Sequence, residues 1–167
     1  APSDVMGETL DRNTLEENIN FIVSELDKAI DVLPMSITEV GLQEGSDMGR
    51  ATKGAAMALK SRVLLYAASP LYNGNTLYAG MINHYGKEIF PQNYDEKKWE
   101  DAKKAAKDLI DLEYYSLVQA DQTTGDKFVD GIRAYQNIFF KQWNEETIWG
   151  WWMNFYDDWL GRSGGFI

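Results

Sequence analysis

Gly49 to Gly74, GRATKGAAMALKSRVLLYAASPLYNG, is the stretch whose reading decides the fold. Its small and aliphatic residues predict a helix over about Ala51 to Ala68, stopped at Ser69-Pro70. Gly54, Ala58 and Leu65 fall on nearly one side, with Ala51 and Ala55 beside them. Small residues at helical spacing let a second helix approach closely, so this segment reads as scaffold, with ligand contacts expected downstream of it.

Working outward, the segment before it is a second helix. Thr14-Leu15-Glu16-Glu17 has the form of a capping box, Thr14 accepting from the backbone and Glu17 reaching back. Leu15, Ile19, Ile22, Leu26, Ala29 and Leu33 follow at spacings of three and four, and Pro34 ends the run. Met35 to Met48 shows no clear period and reads as a loop. Downstream, Ser69 to Asn93 reads as a long connection with some short structure, turning at Asn73-Gly74-Asn75.

A third helix is expected from near Asp95, a plausible N-cap. Trp99, Ala102, Ala106 and Leu109 would share its inner face, supported by Ala105 and Ile110, with lysines, Glu100 and Asp108 outside. Asp121 to Gly125 is a turn-rich break. A fourth helix is expected over about Phe128 to Gln142, with Phe128, Ile132, Tyr135 and Phe139 inward. Thr147 to Met153 is β-branched and aromatic and reads as extended, with Trp149 and Trp151 on one side, Ile148 and Trp152 on the other.

The expected fold is therefore mostly α: one domain over residues 1–167, with helix pairs 14–68 and 95–142 and a loop-rich end at 143–167. Each helix has one apolar face, so the four must stack to bury them. That is the logic of a tetratricopeptide-like helical repeat scaffold with long loops and a short extended Trp-rich segment.

Composition narrows the function. Of 167 residues, 26 are acidic and 16 are Lys or Arg, a formal charge of −10. An acidic surface repels nucleic-acid phosphates and anionic headgroups, so neither is an expected partner. The chain has no cysteine, which excludes disulfides and thiolate chemistry. The longest apolar stretch, Ala55 to Ala68, is broken by Lys60, Ser61 and Arg62, so no membrane-spanning run is expected. His84 is the single histidine, and no metal set, triad or phosphate loop surrounds it. The doublets Glu145-Glu146 and Asp157-Asp158 point apart on an extended chain, so neither makes the acid/base pair of a glycosidase. No catalytic residue, metal ligand or cofactor is expected.

Five of the six tryptophans lie between Trp143 and Trp159. Trp149, Trp151, Trp152, Asn154, Tyr156 and Trp159 are the candidate ligand-binding residues. Phe155, Asp157, Asp158 and Arg162 lie among them. Sugars present flat C–H faces to aromatic rings, and their hydroxyls need amides, carboxylates or guanidinium groups nearby. Rings of this size also serve as core, which is the competing reading. Tyr72, Asn73, Asn75 and Tyr78 form a smaller candidate, whose alternative is an ordinary solvated turn.

In their order and spacing these pieces resemble the SusD/RagB family of nutrient-binding outer-membrane lipoproteins. The resemblance is carried by Leu26-Asp27-Lys28-Ala29-Ile30 ending at Leu33-Pro34, Gly49-Arg50-Ala51-Thr52-Lys53-Gly54-Ala55-Ala56, and Tyr66-Ala67-Ala68-Ser69-Pro70. Trp99-Glu100-Asp101-Ala102, Tyr115-Ser116-Leu117 and Asn144-Glu145-Glu146 leading into Thr147-Ile148-Trp149 complete it. It covers nearly the whole chain and implies a tetratricopeptide-like scaffold and a non-catalytic protein on the outer face of the outer membrane. The implied partners are an oligosaccharide or another nutrient and a TonB-dependent SusC-like transporter. Membrane contact would run only through a lipid anchor absent from this chain, which is expected to be a central fragment of a longer protein. A protein-interaction scaffold docked on the transporter, with the ligand site elsewhere, is the alternative.

Overall fold

In the computed structural model, residues 12–119, 123–141 and 143–150 are described. They are mostly helical: α1 (Leu15–Val32), α2 (Lys53–Ala68), α3 (Lys97–Ile110) and α4 (Lys127–Phe140). Short 3-10 turns occupy Ile37–Val40 and Thr76–Tyr78, and a single helical turn Glu44–Asp47. Among the described residues the only β-type pairing is an isolated antiparallel bridge between Ile82 and Glu88. No helix there is long and apolar enough to cross a membrane.

The chain divides into two compact units. One takes the described residues up to Leu33 together with Ala56–Asp111. The other takes Pro34–Ala55 together with the described residues from Leu112 onward.

In the first unit, α1 starts where its capping box predicts. Thr14 Oγ1 accepts from the Glu17 N–H at 3.1 Å, and the Thr14 N–H donates to Glu17 Oε2 at 2.9 Å. The expected apolar face is half-buried at Leu15, Ile19, Leu26, Ala29 and Leu33. The loop over residues 81–90 is stitched to the start of this helix. The Leu15 N–H donates to Ile89 O at 2.8 Å, Asn83 Nδ2 to Arg12 O at 3.0 Å, and Lys87 Nζ pairs with Glu17 at 2.6 Å. Asn83 Oδ1 accepts from the backbone of Tyr85 and Lys87, closing the loop on itself.

α2 buries Ala56, Ala67 and Ala68 in this unit, all small. Leu65, expected inside, is 51% exposed. Its polar residues Lys60, Ser61 and Arg62 fall on three different sides, so its pattern does not mark which face turns inward. α3 buries Ala102 and Ala105 and exposes the lysines and acids assigned to its outer face. Ile110, counted among its inner residues, is instead exposed at the last turn. The N-cap position is Glu96, one residue beyond the expected Asp95, and Asp95 Oδ1 still accepts from the Lys97 N–H of the first turn at 2.9 Å.

The connection between α2 and α3 is tied down by Asn73, which is 4% exposed. Its Nδ2 donates to Asp95 O at 2.9 Å and its Oδ1 accepts from the Asp95 N–H at 2.8 Å. Gly74 (φ 79°) lets this happen, because a β-carbon there would lie 2.7 Å from the Tyr94 nitrogen. Phe90 stacks on Tyr78 at 4.4 Å and on Tyr72 at 6.3 Å between centroids. The expected solvated or ligand-facing turn at Tyr72, Asn73, Asn75 and Tyr78 is thus a structural tie.

In the second unit, Met35 to Met48 is more ordered than its pattern predicts. Ser36 and Glu39 form a second capping box around Ile37–Val40 and bury Ile37. α4 begins at Asp126, whose Oδ1 accepts from the Phe128 and Val129 N–H groups. Its inward face is not the expected one. Phe128, Ile132, Tyr135 and Phe139 are exposed, while Asp130 and Ala134 are buried. Asp130 tolerates burial because its Oδ1 accepts both the Thr124 hydroxyl at 2.6 Å and the Thr124 N–H at 3.1 Å. The Thr147 run opens as the close of a turn, Thr147 N–H to Asn144 O, and bends at Ile148 and Trp149 instead of extending.

Candidate functional site

The second unit gathers four aromatic rings around one cavity of about 100 Å³. The floor comes from the segment that precedes and opens α2. Met35, Ser36 and Ile37 lie beside the first capped turn, and Met48, Gly49, Arg50 and Thr52 lead into the helix. Tyr114 and Tyr115 form one wall, and Trp143, Thr147, Ile148 and Trp149 the other. Ile148 and Trp149 both line it, so strand-like alternation does not separate them.

Each ring is placed by an identifiable contact. Trp149 Nε1 donates to Gly49 O at 2.8 Å, which fixes the indole against the loop before α2. Gly49 sits at φ 93°, and a β-carbon there would lie 3.2 Å from Gly150 O and 3.6 Å from the Trp143 ring. Glycine therefore suits this position through its positive φ and the close Gly150 carbonyl, while the Trp143 ring would be in ordinary contact with a β-carbon. Tyr114 and Tyr115 meet edge to face at 5.0 Å. Tyr115 passes over Gly54, close enough that a β-carbon on Gly54 would clash with it.

The backbone holding these rings is strained. Glu113 (φ 50°) and Trp143 (φ 57°) are the non-glycine residues with positive φ among those described. Glu113 directly precedes the tyrosine pair and Trp143 lines the opposite wall. Such conformations cost about 1–2 kcal/mol each and persist where surrounding contacts fix them.

Glu145 and Glu146 hold the two walls together. The Ser116 N–H donates to Glu145 O at 3.0 Å, and the Val118 N–H to Glu146 Oε2 at 3.1 Å. Both act structurally. Arg50 is the charged side chain of the described lining, and its Nε pairs with Asp47 at 3.0 Å. Burial raises the Tyr115 pKa above its ordinary 10.0, and the Thr52 side chain offsets part of that rise. The Tyr115 hydroxyl therefore stays protonated through the neutral range.

Two larger grooves, about 310 and 370 Å³, lie in the first unit. The first is lined by charges already matched to each other, Lys98 with Glu16 and Lys97 with Asp101. The second runs along residues 88–95 and carries Glu16, Glu88 and Asp95 on its rim. Neither brings rings together with a sequence-predicted site residue.

Of the six predicted ligand residues, Trp149 lines the cavity and is 63% exposed. Trp151, Trp152, Asn154, Tyr156 and Trp159 lie outside the described residues, as do Asp157 and Asp158. Sequence reasoning missed Tyr114, Tyr115, Trp143 and the Met35–Thr52 floor. The capping box at Ser36-x-x-Glu39 was the available signal that this floor is ordered.

The sequence matches no protein-family model and no curated protein. The structure is similar to BT4246 of Bacteroides thetaiotaomicron, with a TM-score of 0.70 and 27% identity over 87% of this chain. It is similar to the selenomethionine form of BT4246 with a TM-score of 0.65 and 28% identity, again over 87% of the chain. In each case the chain spans 29% of the length of the solved protein it matches.

Proposed function

We propose that this chain belongs to a surface glycan-capture protein of SusD/RagB type. It binds oligosaccharide without chemical change and hands it to a TonB-dependent transporter at the outer face of the outer membrane. Its helices form the tetratricopeptide-like part of that scaffold. The observation that carries the reading is the ring-walled cavity of the second unit. An indole held by hydrogen bond and further aromatic rings, with hydroxyl oxygens of Ser36, Thr52 and Thr147 in the same lining, suit the C–H faces and hydroxyls of a sugar. The ordered motifs of the sequence and the likeness to BT4246 over most of the chain support a shared fold.

Isothermal titration against a glycan panel tests it. Alanine at Trp149, and separately at Trp151, Trp152 and Trp159, should lower affinity for the glycan that binds. Unchanged affinity in all of these variants would remove the Trp-rich region from the site.

The alternative, a scaffold that docks on the transporter with the ligand site elsewhere, is favoured by one observation. α4 exposes Phe128, Ile132, Tyr135, Phe139 and Phe140. Polar substitutions on that face that abolish transporter pull-down while the tryptophan variants retain it would favour this reading.

A further inference from the structure

We infer that the cavity of the second unit receives a single uncharged sugar ring, at a chain end or branch, and disfavours acidic sugars. This rests on the glycan-binding reading of the cavity and narrows it to a ligand class.

Size limits the occupant first. The cavity measures about 100 Å³. Sites for whole small molecules run to about 300–1,000 Å³, and one of about 150 Å³ holds a single benzene ring. There is room for one partly inserted ring. A residue in mid-chain would have to carry a neighbour in on each side, whereas a terminal or branch residue enters alone.

Charge limits it next. Arg50 is the charged group among the described lining residues, and Asp47 already pairs with its Nε at 3.0 Å. The Asp47 side chain is 20% exposed and the Arg50 side chain 63%, so the carboxylate is held beside a guanidinium that still faces solvent. The chain as a whole carries −10. A uronate or sulfate entering here would shed water, meet a guanidinium whose charge Asp47 already offsets, and face a repulsive field.

The remaining polar groups suit neutral hydroxyls. Ser36, Thr52 and Thr147 already bond Thr38, Tyr115 and Asn144 within the chain, and their hydroxyl oxygens keep acceptor capacity that a sugar hydroxyl can meet and an anion cannot. The Trp149 indole is held by Gly49 before any ligand arrives, so its face is presented without reordering.

The test titrates the whole chain with pairs of oligosaccharides that differ only in the terminal ring, a neutral hexose or the matching uronic acid. The neutral-ended member should bind at least about tenfold tighter. Trp149→Ala should abolish that binding. Trp149→Phe, which keeps a ring and loses the bond to Gly49, should retain it a few-fold weaker. Circular dichroism on both variants separates loss of the wall from loss of the fold. Equal or tighter binding of the acidic-ended member, still sensitive to Trp149, overturns the neutral assignment and leaves glycan binding standing. Absence of binding across the neutral and acidic panel overturns glycan binding at this cavity and this inference with it.

Discussion

The Tyr115 hydroxyl occupies the space in which a side chain on residue 54 would begin. A β-carbon on Gly54 would lie 2.0 Å from that oxygen and 2.7 Å from Cζ of the ring. Alanine in place of a helical glycine ordinarily gains about 0.5–1 kcal/mol. Here the rigid ring must move as a whole, and overpacking of this kind costs about 1–3 kcal/mol. Gly54→Ala should therefore destabilise the protein by about 1–2 kcal/mol in urea unfolding. In a Tyr115→Leu background the same change should become neutral or stabilising, and a double-mutant cycle reads the difference as coupling.

Asn73 holds the α2–α3 connection to Asp95 by two bonds, and a third reaches Ala68 O at 3.4 Å. Removing the amide leaves the Asp95 N–H and C=O without these partners at a part-buried position. Asn73→Ala should lower stability by about 2–3 kcal/mol. Asn73→Asp should be no better, because it keeps the acceptor and turns the donor into an oxygen facing Asp95 O. The urea midpoint of each variant checks this, and an unshifted midpoint in Asn73→Ala would show the tie to be dispensable.

Glu17 sets an acid limit. Its bond to Lys87 holds its pKa below the ordinary 4.5, helped by the Thr14 backbone N–H. A carboxylate with a depressed folded pKa adds stability that is fully present above its unfolded value. That stability is lost as pH falls through the folded value. Unfolding free energy should thus decline from about pH 4.5 downward through this group. Glu17→Gln keeps a side chain able to complete the capping box but does not titrate. It should flatten that decline while leaving α1 formed by circular dichroism. A slope identical to the parent protein's would assign the acid sensitivity to other carboxylates.

Local chemistry was readable where neighbours in sequence satisfy each other. Thr14 with Glu17, and Asp95 with Lys97, are such cases, and both helices start within one residue of the expected position. Asn73 was not readable, because its partner lies 22 residues away and a turn asparagine is usually solvated. The cavity was readable in one residue, Trp149. Its other walls come from residues 35–52, 114–115 and 143–148, three segments that only the folded chain brings together. α2 hid its inner face because Lys60, Ser61 and Arg62 are spread around it.

α4 shows how a valid period can mark the wrong face. Its large apolar residues, Phe128, Ile132, Tyr135 and Phe139, are 75%, 43%, 65% and 58% exposed, while Ala134 is buried and Asp130 is buried against Thr124. A small residue and a satisfied carboxylate permit close packing, and the periodic rings point away from it. Replacing Phe128, Ile132 and Tyr135 together with glutamine should change stability by about 0.5 kcal/mol or less per site, read from the urea midpoint. Ala134→Leu should cost about 1–3 kcal/mol by overpacking. Asp130→Ala should cost about 1–2 kcal/mol through its two lost bonds to Thr124, whose exposed donors water and Asp126 O can then take up. If the triple glutamine variant unfolds while Ala134→Leu is tolerated, the face assigned by periodicity is the packed one and the burial described for Asp130 and Ala134 is wrong.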